Sequence, residues 1–471
     1  MKVSFVQLWA IGYACAAMAQ SPGTFAATGN MSAARYGHTA TLLTNGKVLI
    51  AGGVQSIIGS AELYDPSTRT FTATGNMSAA RSGHRATRLP DGKVLITGGS
   101  ALESGSLASA ELYDPSTGTF TATGGLTVTR RGHTATLLNT GKVLIAGGSD
   151  PQHGLGASAE LYDPSTGTFT ATGDMTTIYR PGTATLLDNG KVLVDGEGDN
   201  SVPIAQLYDP ETGTFGLTGG TAPMYSAFSA TASLLTNGKV LETLQYSCDP
   251  SDEAVLYDPS TGTFTTTGNL TTYRWDVSTS TLLPDGTVLI AGKWYAGSGA
   301  ELYDPAAGTF SPTGDMTASP GRLSHTATLL PDGTVLIAGG ASVSTLASAE
   351  IYHPVKLIAA PVLFSLAGDG RGQGAIWHAA TGQLALPGNP AIAGEAVAMY
   401  TTGLPDGGAI PPQVAVGSRL AEILFFGNAP GYPGFNQVNF RVPSGVAPGP
   451  AVPVRLTYLG RPSNEVAIGV R

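Results

Sequence analysis

From about residue 21 to 355 the apolar positions fall in short runs cut by glycines and polar pairs. The clearest stretch, Arg130 to Phe169, reads RRGHTATLLNTGKVLIAGG and, after a variable loop, SAELYDPSTGTF. His133 to Leu138 alternates as a half-buried strand does, and Lys142 to Ala146 is a nearly continuous apolar run. Ala157 to Tyr162 and Thr168 to Thr172 supply a third and a fourth strand. No window of helical length carries apolar residues at the 3.6-residue period. Near copies follow one another. The Tyr-Asp-Pro signature recurs at Asp65, Asp114, Asp163, Asp209, Asp258 and Asp304, with His353 in the seventh copy, at steps of 46 or 49 residues. A period near 50 with four short strands predicts the blades of a β-propeller rather than a helical array.

The joints agree with this reading. Asn45-Gly46, Asp91-Gly92, Asn189-Gly190, Asn237-Gly238, Asp285-Gly286 and Asp332-Gly333 separate the first two strands of their copies and tolerate the positive φ of a tight hairpin. Tyr64, Tyr113, Tyr162, Tyr208, Tyr257, Tyr303 and Tyr352 end the third strands, where a large ring packs between blades. Six of these tyrosines are followed by a run holding Thr-Phe, from Thr70-Phe71 to Thr309-Phe310, but Tyr352 is not. Gly23-Thr24-Phe25 stands alone at the other end of the region. Pairing that orphan with the last copy predicts seven complete blades and covers two open edges.

Near Lys356 the period stops and Pro and Gly become dense. Strand-like runs at Ala396–Thr401, Gln413–Val416, Glu422–Phe426, Asn436–Val442, Val452–Tyr458 and Glu465–Val470 predict a β-sandwich. At the other end, Lys2, an apolar run from Val3 to Ala17 and Ala17-Met18-Ala19 before Gln20 read as a secretory signal. The expected organisation is a signal peptide over 1–19, a propeller over 20–355 and a sandwich over 356–471, all-β throughout. The expected location is secreted or extracytoplasmic, cell surface included, with no membrane span after signal cleavage.

Composition narrows the function. After cleavage only Cys248 remains of two cysteines, so no intramolecular disulfide is expected. The formal charge of −9 is spread over a chain with only 12% charged residues, and no basic stripe marks a nucleic-acid partner.

Arg35-x-Gly37-His38, the Gly52-Gly53 doublet and Glu62-Leu63-Tyr64-Asp65-Pro66 give the repeat a resemblance to the kelch family, with Phe71, Phe120 and Phe169 where that family usually has Trp. The resemblance covers about 330 residues and implies a seven-bladed kelch-type β-propeller closed by the N-terminal strand. Kelch rings serve as enzymes, adaptors and glycan binders. One branch, the galactose-oxidase-like copper enzymes, needs two tyrosines and two histidines, with one tyrosine cross-linked to a cysteine. His325 falls at a ligand position, but Ser324 precedes it where that family has tyrosine, the cross-linked tyrosine matches about Gly83, and Cys248 belongs to the fifth copy. The resemblance therefore implies the fold without the copper site, and no cofactor or metal is expected. Farther on, FFGNAPGYPGFNQVNFRVPSGVAPG and VPVRLTYLGRPSNEVAIGV resemble an uncharacterised Ig-like C-terminal domain of exported soil-bacterial proteins, which implies a small Ig-like β-sandwich.

Two sets of residues are candidates for chemistry. His38, His84, His133 and His325 occupy one position in blades 1, 2, 3 and 7, and could converge on a metal. Being part of the repeat, they are expected to hydrogen-bond locally within their own blades. Arg35, Arg81, Arg130 and Arg322 are expected to be staples between blades. The second set lies where the repeat breaks, in blades 4 to 6. Glu197 and Asp199, Tyr225, Asp249, Trp275 and Asp276, and Lys293, Trp294 and Tyr295 flank the first and second strands there. Those loops share one face of a blade, and aromatic rings beside carboxylates suit a glycan or an extracellular protein or peptide ligand. The reading is a non-catalytic binding or adhesion protein. The alternative is a galactose-oxidase-like or other carbohydrate-active enzyme, with Glu197 and Asp199 as acid and base.

Overall fold

The computed structural model describes residues 23–54, 59–101, 105–150, 154–176, 180–197, 203–219, 231–244, 253–272, 279–292, 299–318, 321–354, 362–367, 372–402, 404, 412–417, 419–429, 435–458 and 461–471. Among the described residues there is no helix, and seven four-stranded antiparallel sheets lie between Thr24 and His353. Blade 1 runs Thr39–Leu42, Val48–Ala51, Ala61–Asp65, Thr70–Ala73 from the inner to the outer strand. Blades 2 to 7 begin at Arg85, Thr134, Arg180, Thr231, Thr279 and Thr326. The innermost strand of each blade touches that of the next, and the last touches the first, so the sheets surround an axis as in a β-propeller.

The pattern of side chains explains the layering. Val48–Ala51 and its counterparts are buried along their whole length because both faces of a second strand meet a neighbouring blade. The Thr-Ala-Thr-Leu first strands are half-buried. Blade 7 takes its outer strand from the start of the chain. Thr24–Ala27 pairs with Glu350–His353, and the Phe25 ring meets Tyr352 at 4.9 Å. The Tyr–Phe pairs within the other six blades lie at 4.8–4.9 Å, so the strand reproduces the repeat's own contact.

The hairpins differ in detail from the expectation. Only the glycine takes positive φ, 81° at Gly46 and 88° at Gly92. The Asn or Asp serves through its side chain: Asn45 Oδ1 accepts the Lys47 amide at 3.1 Å, and Asp91 Oδ1 that of Lys93 at 3.0 Å. In the outer hairpins Gly118, Gly167, Gly213, Gly262 and Gly308 have φ of 65° to 71°, and blade 1 places Arg69 there at 58°. An L side chain is strained in this region. Arg69→Gly is expected to raise stability by ~0.5–1 kcal/mol, after glycine's greater unfolded-state freedom is subtracted. A urea melt would show it as a higher midpoint at unchanged slope; an unmoved midpoint would refute the strain.

Beyond the propeller, one sheet runs Val362–Leu363, Ala396–Thr402, Asn436–Arg441, Glu422–Asn428, with Ile376–His378 also on Ala396–Thr402. A second runs Arg419–Leu420, Gln413–Val416, Gly449–Tyr458, Arg461–Val470. Val397, Met399, Val438 and Phe440 of the first share a core with Val414, Val454, Leu456 and Ile468 of the second, so the sheets pack face to face.

Candidate functional site

In blades 1, 2, 3 and 7 one Arg, one Glu and one His repeat in the same arrangement. The Arg81 side chain is wholly buried, and its guanidinium donates to the Gly98 and Ser109 carbonyls at 2.9 and 3.0 Å, to Ser109 Oγ at 3.0 Å and to Glu111 Oε1 at 2.7 Å. Glu111 Oε2 accepts the Ser78 amide at 2.8 Å. Arg35–Glu62, Arg130–Glu160 and Arg322–Glu350 repeat the pair at 2.6, 2.7 and 2.8 Å. Burial lowers the pKa of Arg35, Arg81 and Arg322, and the facing carboxylate opposes that shift.

These pairs correct the expected roles. Each guanidinium closes the loop ahead of its own blade onto that blade's second and third strands, so the arginines do not staple blade to blade. The histidines do. His38 Nε2 meets Thr326 Oγ1 of blade 7 at 3.1 Å, and His84 meets Thr39 of blade 1 at 3.0 Å. His133 meets Thr97 of blade 2 at 2.9 Å, and His325 meets Thr279 of blade 6 at 3.1 Å. The reversal has a geometric cause: the imidazole lies against the glycine that ends the preceding blade's second strand, as His84 does against Gly52. Burial, with the charge of the nearby arginine next, lowers the pKa of His38 and of His84 to about 3, and burial also holds His133 well below its usual value. The rings are neutral bolts across the seams.

A second bolt lies near the rim. Thr28–Tyr64, Thr74–Tyr113, Thr123–Tyr162, Thr172–Tyr208, Thr267–Tyr303 and Thr313–Tyr352 join hydroxyls of adjacent blades at 2.8 or 2.9 Å.

Blades 4 to 6 depart from this. Gly182, Ala230 and Ser278 stand at the histidine position, and Gln206 and Val255 replace the glutamate in blades 4 and 5. Gln206 keeps the acceptor role, taking the Thr176 amide at 2.9 Å. Two carboxyl groups enter the interior instead. Asp195 lies in the second strand of blade 4 where blade 1 has Ala51, and Glu242 takes the place of Ile50 in blade 5. Both are buried, in hydrogen-bond contact with each other, and Asp195 also accepts from Thr183 Oγ1. Burial pushes Asp195 up to about 6, and burial and then the Asp195 charge push Glu242 well above the carboxylate range. Sequence reasoning missed Glu242 and the four paired glutamates. The signal was an acid inside an otherwise apolar VLIA strand, and Glu in the ELYD run wherever Arg opens the blade.

Of the residues expected to bind ligand, Asp199, Tyr225, Asp249, Trp275, Asp276, Lys293, Trp294 and Tyr295 lie outside the described residues. Glu197 ends the second strand of blade 4, its backbone paired with Arg180 at the start of the first. Thr39 faces Ala51 likewise, so the loop before strand one and the loop after strand two leave a blade on one side. Among the described residues no group of three or more His, Cys, Asp or Glu is placed to hold a metal ion.

No family model and no curated protein matches the chain. Among solved structures, a fungal alcohol oxidase of the AA5 family, determined in complex with copper, is similar over 96% of this chain and 100% of that one, with a TM-score of 0.60 and 17% sequence identity. The likeness is one of fold: an all-β, galactose-oxidase-like architecture built on a β-propeller.

Proposed function

We propose that this chain is an exported, non-catalytic binding protein: a seven-bladed kelch-type propeller followed by an Ig-like sandwich, recognising a glycan or an extracellular peptide at the mouth of blades 4 to 6. One observation carries the reading. The Arg, Glu and His of blades 1, 2, 3 and 7 are consumed in holding the ring together, and the blades that lose this set are contiguous. In the sequence Trp275 precedes the first strand and Trp294 follows the second strand of blade 6, one of the blades that lose the set. Rings there stack on a sugar's apolar face while Asp and Glu accept its hydroxyls.

A second reading, alcohol oxidation, is favoured by the likeness to a copper-bound alcohol oxidase. The described residues do not fit copper, because His38, His84, His133 and His325 are buried with Nε2 engaged by threonine and no three of the described His, Cys, Asp or Glu converge. Glycan and peptide arrays, run on the wild type and on Trp275→Ala with Trp294→Ala, separate the two. Saturable binding that the double variant loses at unchanged Tm supports the first. Copper-dependent oxidation of an alcohol by the purified protein, or binding that survives the double substitution, overturns it.

A further inference from the structure

The seam between blades 4 and 5 lacks both bolts described above. Ala230 replaces its histidine. The Tyr257 hydroxyl is buried with no partner among the described residues, whereas the six other tyrosines of the set each meet a threonine across their seam. Thr218, at the position of those threonines, donates to the Ala205 carbonyl of its own blade at 3.3 Å. Among the described residues the buried apolar members of this seam are Leu187, Leu193, Ala205, Val240 and Tyr257, with the carboxyls of Asp195 and Glu242 where blade 1 has Ala51 and Ile50. Across this seam Asp195 faces Glu242. Were both ionised, Glu242 Oε1, which has no donor, would lie against a carboxylate in a buried site.

We propose that the seam between blades 4 and 5 is a proton-dependent joint: a proton shared between Asp195 and Glu242 takes the place of the fixed hydrogen bonds at the other seams, and the ring loosens there as the pH rises. Among the described residues the groups facing the pair do not offset this. Asp195 is the charged group acting on Glu242, and Thr183 donates to Asp195. Tyr257 is the described titratable side chain that feels Glu242, and its own pKa is raised, by burial first. Asp209 and Asp258 sit at the opposite ends of their strands, paired with Lys191 and Lys239.

The sign follows from linkage. Unfolded, both carboxyls lose their protons near pH 4; folded, Asp195 holds its proton to about 6, and burial with the Asp195 charge holds the Glu242 proton well above the usual carboxylate range. Stability present below the unfolded values is therefore lost progressively as pH rises through the folded ones. The buried histidines act oppositely, but only below their unfolded value of about 6.5, so they are silent from pH 7 to 9.

Thermal melts of the full chain from pH 7 to 9 test the joint. The wild-type Tm is expected to fall by about 3–6 °C over that window. Glu242→Gln, whose amide donates to the Asp195 carboxylate without titrating, is expected to flatten the fall and to melt above wild type at pH 9. Asp195→Asn serves as the second variant if Glu242→Gln does not fold. Hydrogen exchange, corrected for its intrinsic pH dependence, should show the gain at Val192–Val194 and Val240–Leu241 before other second strands. Parallel melting curves for wild type and variant, or an exchange gain spread evenly over the blades, would overturn the proposal.

Discussion

A chain lacking residues 20–30 is expected to melt at least 10 °C below the full-length protein, and to aggregate on heating where the full-length protein does not. The deletion strips the backbone partners from one edge of Glu350–His353, a strand buried along most of its length and left paired only with Val335–Ala338. It removes the Phe25 ring from Tyr352 and the hydroxyl bond from Thr28 to Tyr64, so the seams of blade 7 with blade 1 and within blade 7 fail together. Loss of one large core side chain costs about 3–5 kcal/mol, and an unpaired, uncharged strand edge invites intermolecular pairing. Phe25→Ala isolates the packing component: half-buried, it should lose about 2 kcal/mol, clearly less than the deletion. Differential scanning calorimetry at two scan rates reads both variants. A deletion that melts with the intact protein would mean that the N-terminal strand does not complete the seventh blade.

That strand was legible because it carries the repeat's Thr-Phe mark without the rest of the repeat. The same economy made the four-stranded units readable, since Gly after Asn or Asp, the apolar second strand and the terminal tyrosine each sit at a fixed offset. The direction of the side chains was not legible. Arg81 and His84 are three residues apart in one loop, yet one folds back on its own blade and the other crosses to the preceding one. Period and composition are blind to that choice, which depends on a glycine in the neighbouring blade leaving room for an imidazole. Glu242 escaped for another reason. A single acid in a strand of Val and Leu reads as a defect until Asp195, on a different blade, is placed beside it. The candidate binding residues were found by their departure from the pattern, and their chemistry rests on that sequence reading.

Arg81→Tyr alone is expected to cost about 3–5 kcal/mol, because it leaves the Glu111 carboxylate buried without its cation. Glu111→Gln alone should cost a similar amount, since the guanidinium then loses its counter-charge while still buried. The two together should cost far less than their sum. Blade 4 already carries that combination, with Tyr179 at the arginine position and Gln206 at the glutamate position. Gln206 there still accepts a backbone amide, so a neutral side chain at the glutamate position keeps the loop closure that Glu111 provides through Ser78. Ser109, which donates no charge but receives the Arg81 guanidinium, adds a packing contact that tyrosine does not replace, and a residual loss of about 1 kcal/mol is expected in the double variant. A double-mutant cycle from urea melts at pH 7 gives the coupling directly. Coupling of about 2 kcal/mol or more would show that the charge pair, rather than either side chain's packing, fixes the loop. Strict additivity would mean that the clamp is held by the backbone carbonyls of Gly98 and Ser109 and that the carboxylate is incidental.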